Sequence, residues 1–407
     1  MQPKMKWCTT DEHLAQVAET RWRCYAQAAR ELPKYHENIR LDPWASIGDY
    51  LLAEQSGIAV GTATSLPLTM WIRGAPLSCQ GVAYVGTIKT ARRRGGVASA
   101  VMHEILRAAR ERGHVVSALM PFRVSFYEHF GYGLVERRAD WTIPLSVLPT
   151  LDSSGWRFAT PRDQAAIAEQ WQSAVQAGQC DVERSAKRWE RARVAEEEGM
   201  VFVDSPAPGA PIKAMALVVD ERGENRRLLK VQHHWSVDSS ESFLGLLSFL
   251  GTLRDQYSAV SISVPGSWQL NRLLKESQIP HRPVDHPAAE FRAYTRMQLR
   301  ILDHKKYLES LRLPEEVKGR ITIGIAECEG TASTFSLEID SGHARVTDAR
   351  AEPEFHCPDR HWAGIATGDM TAGEAVRMGL ARQSYAGAAR LLDAAFAGPQ
   401  PFCREYF

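Results

Sequence analysis

Three arginines and two glycines stand in a row at Arg92, Arg93, Arg94, Gly95 and Gly96. The strand-like run Val82–Ile88 precedes them, and a proline-free run to Arg112 follows. A strand that turns into a helix in this way aims successive backbone N–H groups at one point, and the helix N-terminus adds a favourable dipole for an anion. The arginines add charge, and the glycines let the backbone come close. The chemistry that fits is binding of a pyrophosphate. Taken alone, the turn fits a solvated basic loop that caps a helix equally well. It is not a Walker A loop, because no Gly-Lys-Ser/Thr follows.

Other reactive side chains have weaker contexts. Cys24 and Cys79 lack a legible His/Asn framework, which argues against a cysteine nucleophile. His356, Cys357, Asp359 and His361 crowd into FHCPDRHW. Their spacing matches no zinc pattern, so a loop or packing role is expected and no metal. His233–His234–Trp235 at a strand end reads the same way.

The elements around the turn follow from periodicity. Thr10 is placed to cap a helix from Asp11 to about Ala29. Strands are expected at Tyr50–Glu54, Ile58–Ser65 and Val82–Ile88. In the run after the turn, Ala98, Val101, Ile105, Ala108 and Ala109 recur at helical spacing, and Gly113 supplies a stop. A buried strand at His114–Met120, a short helix at Val124–His129 and a strand around Trp141–Ile143 complete the first block.

A second block begins near Ser154. Helices are expected at Asp163–Gln176, Ala186–Glu198 and Ser240–Asp255. Strands are expected at Met200–Val203, Ala214–Asp220, Leu228–Ser236 and Ala259–Val264. Strands, one long helix and one more strand repeat the order of the first block, as in a diverged duplication. The segment IPHRPVDHPAAE, with three prolines, reads as a linker. Beyond it, strands at Arg320–Cys328, Thr334–Ile339 and Ala344–Thr347 have hairpin spacing, and helices follow at Thr371–Gly379 and Ala386–Ala395. The fold class is therefore α/β (α+β), in three domains: 1–150, 151–285 and 286–407.

Composition sets the frame. In 407 residues, 49 Lys and Arg offset 48 Asp and Glu to a net charge of +1. That balance gives no global case for nucleic acid or an anionic membrane as partner. The seven cysteines are scattered and without a CxxC pair, the pattern of reduced thiols in the cytoplasm. No apolar run has the length of a membrane span, and the start MQPKMKWCTTDEH has no apolar signal core.

Two segments together resemble the Gcn5-related N-acetyltransferase (GNAT) superfamily. Its pyrophosphate motif, Q/R-x-x-G-x-G/A, corresponds to Arg92-x-x-Gly95-x-Val97. Val97 departs from the usual small residue, and Arg93-x-x-Gly96-x-Ala98, one residue on, fits in full. The family's later F-Y-x-x-x-G-F corresponds to Phe126-Tyr127-Glu128-His129-Phe130-Gly131-Tyr132. The whole chain is similar to the enhanced intracellular survival (Eis) subfamily. HHWSVDSSESFLGLLSFLGTLRDQY in the middle and PFCREYF at the end carry that likeness. The resemblance implies two tandem GNAT-like mixed-sheet domains, the second degenerate, and a C-terminal α+β domain like sterol carrier protein. Ser236 and its following helix are not joined by an Arg-x-x-Gly turn, so a second acetyl-CoA site is not expected.

The resemblance also implies roles. Val85, Gly86 and Thr87 would hold the pantetheine arm and thioester of acetyl-CoA. Arg92, Arg93, Arg94, Gly95, Gly96 and Val97 would hold its pyrophosphate. Tyr127 would be the general acid for the leaving thiolate. The α-carboxylate of Phe407 would be the general base for a primary amine, its ordinary pKa of about 3.3–3.7 raised by burial among aromatic side chains. Phe402, Tyr406 and Phe407 make an apolar end that suits docking, although core anchoring alone would explain it too. Tyr84 could line the amine pocket or be an ordinary strand aromatic. Glu31, Glu37 and Asp42 could meet a polyamine, or be surface charges. The expected acceptor is a small-molecule or peptide amine, such as an aminoglycoside-like compound or a lysine side chain. A homo-oligomer, hexameric by resemblance, is expected, with no nucleic acid, integral membrane or metal. Alternatives are transfer of a longer acyl or aminoacyl group, and a non-catalytic acyl-CoA or lipid sensor.

Overall fold

The computed structural model describes residues 2–92, 96–195, 199–222 and 227–407. They divide into two compact units. One holds residues 1–135, 296–399 and 405–407; the other holds 136–295 and 400–404.

In the first unit, β1 (Lys4–Trp7), α1 (Asp11–Tyr25), α2 (Leu32–Arg40), β2 (Tyr50–Gln55), β3 (Ile58–Ile72) and β4 (Ala75–Thr87) precede α3 (Val97–Glu111). Then come β5 (Val116–Leu119), α4 (Val124–Glu128) and β6 (Gly133–Pro144), and β6 leads into the second unit. β1 to β4 are antiparallel neighbours, and β5 joins β4 in parallel. α3 buries Val97, Val101, Met102, Ile105 and Leu106 against the sheet. That stripe is the apolar face its periodicity calls for.

Several boundaries differ from the sequence-based expectation. The first helix ends at Tyr25, where Ala26 turns to extended backbone, and α2 follows as a separate helix with Pro33 near its start. β3 and β4 run to Ile72 and Ala75, well past the expected ends, around a tight turn at Arg73–Gly74 with both φ positive. The Arg73 guanidinium donates to the carbonyls of Phe396 and Ala397 and so docks this hairpin on the C-terminal segment.

That segment forms a five-stranded sheet, ordered 343–348, 332–340, 319–326, 355–358 and 382–383. Of the loop or packing role expected for FHCPDRHW, the structure shows packing. Phe355–Pro358 is a strand, Cys357 is buried, and Asp359 opens the helix Asp359–Thr367. The Asp359 carboxylate accepts from the backbone N–H of Cys328 and of Arg360. Buried Arg300 pairs with Glu329 and donates to the Phe130 carbonyl at 2.7 Å. These groups crowd Gly131, whose φ is +75°: a Cβ there would lie 2.4 Å from an Asp359 carboxylate oxygen. Only glycine fits this turn of the FYEHFGYG segment.

In the second unit the strand order is 133–144, 259–265, 227–232, 214–222, 200–204 and 156–158. The single strand expected at Leu228–Ser236 is broken. Gln232 has φ +47°, and Arg227–Gln232 and Trp235–Val237 pair separately with the 214–222 strand. The core gathers Trp141, Trp235, Phe243, Leu246, Leu250 and Phe402.

The tail 400–404 belongs to this unit and is held residue by residue. The N–H of Phe402 donates to the Gln179 carbonyl, that of Cys403 to Glu136, and that of Arg404 to Asp181. Arg138 pairs with Glu136 and donates to the Cys403 carbonyl; Arg404 pairs with Asp181. All four charged side chains are buried. Removing one partner of such a pair strands a buried charge, at a cost of about 3–5 kcal/mol. Arg404→Ala therefore lowers the thermal midpoint by roughly 10 °C, read by calorimetry. A shift under about 2 °C would show that the pair adds little.

Candidate active site

The site is built where β4 and β5 part. Their ladder covers only Cys79–Gly81 against Val116–Ala118. Val82–Thr87 of β4 continue without β5, paired on the other side to β3. A bulge opposite Ala63 interrupts that pairing, and Tyr84 sits in it with φ +53°. Val85, Gly86 and Thr87 thus lie on a strand with one backbone edge released, which an extended arm can join by hydrogen bonds.

The far end of β4 leads to the turn. Arg93, Arg94 and Gly95 lie outside the described residues. Gly96 stands as N-cap of α3 in the left-handed region, with φ +64° and no side-chain cap. The first N–H groups of a 15-residue helix are therefore left for an anion. Val97 is tolerated because Gly61 faces it: a Cβ on Gly61 would lie 2.7 Å from Val97 Cγ1. Arg92 binds the Cys24 carbonyl at 3.0 Å and contacts that of Thr87, which ties the turn to α1 and β4.

The second unit offers an internal contrast. There the parallel pair 227–232 and 259–265 stays paired from Leu228–Ala259 to Gln232–Ile262, with one register shift at a bulge between Lys230 and Gln232. Its helix Ser240–Thr252 is capped by the Ser239 hydroxyl, with the Asp238 carboxylate bound to Ser239 and Ser242. With a carboxylate at that helix start, a phosphate is repelled.

Tyr127, on α4, is buried with edge contacts to Phe126 at 5.0 Å, Phe122 at 5.7 Å and Tyr132 at 6.1 Å. Burial pushes its phenol above the ordinary value, and the neighbouring Tyr132 adds to that. Phe407 is 8% exposed and packs on β4 at the fork: a Cβ on Gly81 would lie 3.1 Å from its ring. The Phe407 ring therefore packs at the last rung of the β4–β5 ladder. Tyr25 was missed by the sequence. Its hydroxyl would lie 2.6 Å from a Cβ on Gly86, and its phenol interacts with that of Tyr127. No periodicity signals such a contact, because it depends on where α1 ends.

Burial raises the phenols of Tyr127 and Tyr132 alike. The folded state thus holds protons that an unfolded tyrosine releases near pH 10. Their contribution to stability is complete below about pH 10 and declines as pH rises above it. Urea midpoints taken from pH 8 to 11 should fall over that upper range, and a flat profile would contradict the burial.

Residues 8–135 match the acetyltransferase (GNAT) domain family, and residues 304–404 match the sterol carrier protein domain family. The chain thus carries a GNAT acetyltransferase domain followed by a C-terminal sterol-carrier-protein domain. Its fold is shared over the whole length with solved structures. Eis1 from Mycobacterium abscessus superposes with a TM-score of 0.80 at 19% identity, covering 100% of both chains. A GCN5-related N-acetyltransferase from Anabaena variabilis gives 0.83 at 18%, covering 99% of this chain and 100% of that one. A probable N-acyltransferase from Enterococcus faecalis gives 0.82 at 16%, covering 100% of both. No curated protein matches the sequence. The mixed α/β fold class agrees with the sequence-based expectation. Among the described residues, no helix is long and apolar enough to cross a membrane.

Proposed function

We propose that this Eis-like chain is an acetyl-CoA-dependent N-acetyltransferase acting on primary amines. The observation that carries the proposal is the burial of Phe407 against Gly81, where β4 leaves β5. Acetyl-CoA supplies the acyl thioester. The released edge of β4 at Val85–Thr87 holds its arm, and the uncapped start of α3 holds its pyrophosphate, with Arg92, Arg93 and Arg94 supplying positive charge.

The Phe407 carboxylate accepts a proton from the bound amine, which is mostly ammonium at neutral pH because alkylamine pKa values lie near 10.4. The neutral amine nitrogen then forms the C–N bond as the C–S bond breaks; the Phe407 carboxylate, having passed its first proton to water, takes the second N–H proton, and water later returns a proton to Tyr127. Tyr127 gives its phenol proton to the departing thiolate. Its raised pKa keeps that proton in place at neutral pH.

Thiol release from acetyl-CoA by untagged protein, measured with a panel of primary amines, tests the function. Release that requires an amine supports it. Intact acetyl-CoA binding with no release on any amine would overturn it in favour of a sensor.

A further inference from the structure

The mouth around β4 is aromatic where a polycation site would be acidic. Tyr84 on the bulge is 45% exposed, Tyr25 beside Gly86 is 40% exposed, and Phe122 against Tyr127 is 72% exposed. Tyr406, next to Phe407, is 68% exposed. The carboxylates that follow α1 are engaged locally. Glu31 accepts the N–H of Gln27 and Ala28, Asp42 that of Trp44 and Ala45, and Glu37 pairs with Arg40. The Asp42 carboxylate also faces the Tyr50 phenol and the Arg21 guanidinium. Behind Tyr84 lies a fixed cation. Arg21 is 1% exposed, stacks 3.8 Å from the Tyr84 ring centroid and donates to Thr64.

Resting on the acetyltransferase reading above, we propose that Tyr84, Tyr25 and Phe122 select the acceptor, and that the acceptor is a monoamine with an aromatic or apolar body. Aromatic faces hold one ammonium by cation–π attraction and the rest of the molecule by stacking and burial. A polyamine gains little here. Its further ammonium groups meet no uncommitted carboxylate in this set. The sequence suggested acidic residues for amine recognition; the structure turns those residues to holding the chain after α1.

The test compares acetylation of 2-phenylethylamine and tryptamine with that of spermidine and an aminoglycoside, at one ionic strength. At least tenfold higher kcat/KM for the arylalkylamines is expected. Tyr84→Ala and Phe122→Ala are each expected to raise KM for 2-phenylethylamine about tenfold, with kcat changed far less and the KM for spermidine unmoved. Acetyl-CoA affinity in the same variants reports whether they remain folded, and Tyr84→Phe, which keeps the ring, should restore the wild-type KM. A preference for spermidine or the aminoglycoside overturns this inference and leaves the acetyltransferase reading standing. Unchanged KM values in both alanine variants overturn it too. Failure of every amine to release thiol overturns both.

Discussion

Deleting Phe407 is expected to lower kcat for amine acetylation at least ~100-fold, the usual scale for a general base. The change leaves a carboxylate on Tyr406, but one residue short. An extended residue spans about 3.3–3.6 Å, while proton transfer needs heavy atoms within roughly 2.6–3.2 Å. A short C-terminal tag should act the same way, because it turns the carboxylate into an amide. Acetyl-CoA affinity should hold within about threefold, since the released β4 edge and the start of α3 are untouched. Stopped assays of thiol release with paired calorimetry of acetyl-CoA binding check both halves. An unchanged kcat with a tag in place would remove Phe407 from the chemistry and leave its contact with Gly81 as packing. Partial recovery of the truncated enzyme by added formate would identify a carboxylate as the missing group.

Tyr127→Phe is the second large effect. The substitution deletes one hydroxyl and keeps the ring that packs on Phe122, Phe126 and Tyr132. Stability should change by no more than about 1 kcal/mol, whereas kcat should drop on the order of 100-fold. A thioester with an acidic leaving thiol should lose much less, because such a thiolate departs without protonation. The wild-type pH profile offers an independent check. The phenol works while it holds its proton, and burial raises its pKa above the ordinary value near 10. The descending limb assigned to Tyr127 should therefore begin above pH 10, and Tyr127→Phe should abolish it. Equal kcat in the two proteins would leave the thiolate to depart without Tyr127.

Local order made much of the first block legible. Thr10 caps α1 as its type suggests, and α3 follows the apolar repeat from Val97 to Glu111. The short helix expected at Val124–His129 is α4, Val124–Glu128. What stayed hidden depends on distant partners. The strand expected at Ile58–Ser65 runs on to Ile72, where its partner β4 completes a long hairpin. The break at Gln232 is set by two separate pairings with one strand. Arg404 meets Asp181 from the far end of the chain, and no sequence pattern joins them. In the candidate site, the terminus and Tyr127 were suggested by resemblance. Tyr25 and the Arg21–Tyr84 stack came only from packing.

The held tail also bears on how long the protein keeps its last residue. A carboxypeptidase must draw several terminal residues, extended, into its own cleft. Here the backbone of Phe402, Cys403 and Arg404 is already hydrogen-bonded, and the side chain of Phe407 is buried. Trimming must wait for local opening, and its rate follows the population of the opened form. Packing of this segment should therefore slow digestion from a terminus at Phe407, and mass spectrometry after timed digestion with a carboxypeptidase would show Phe407 leaving faster once Arg404 is replaced.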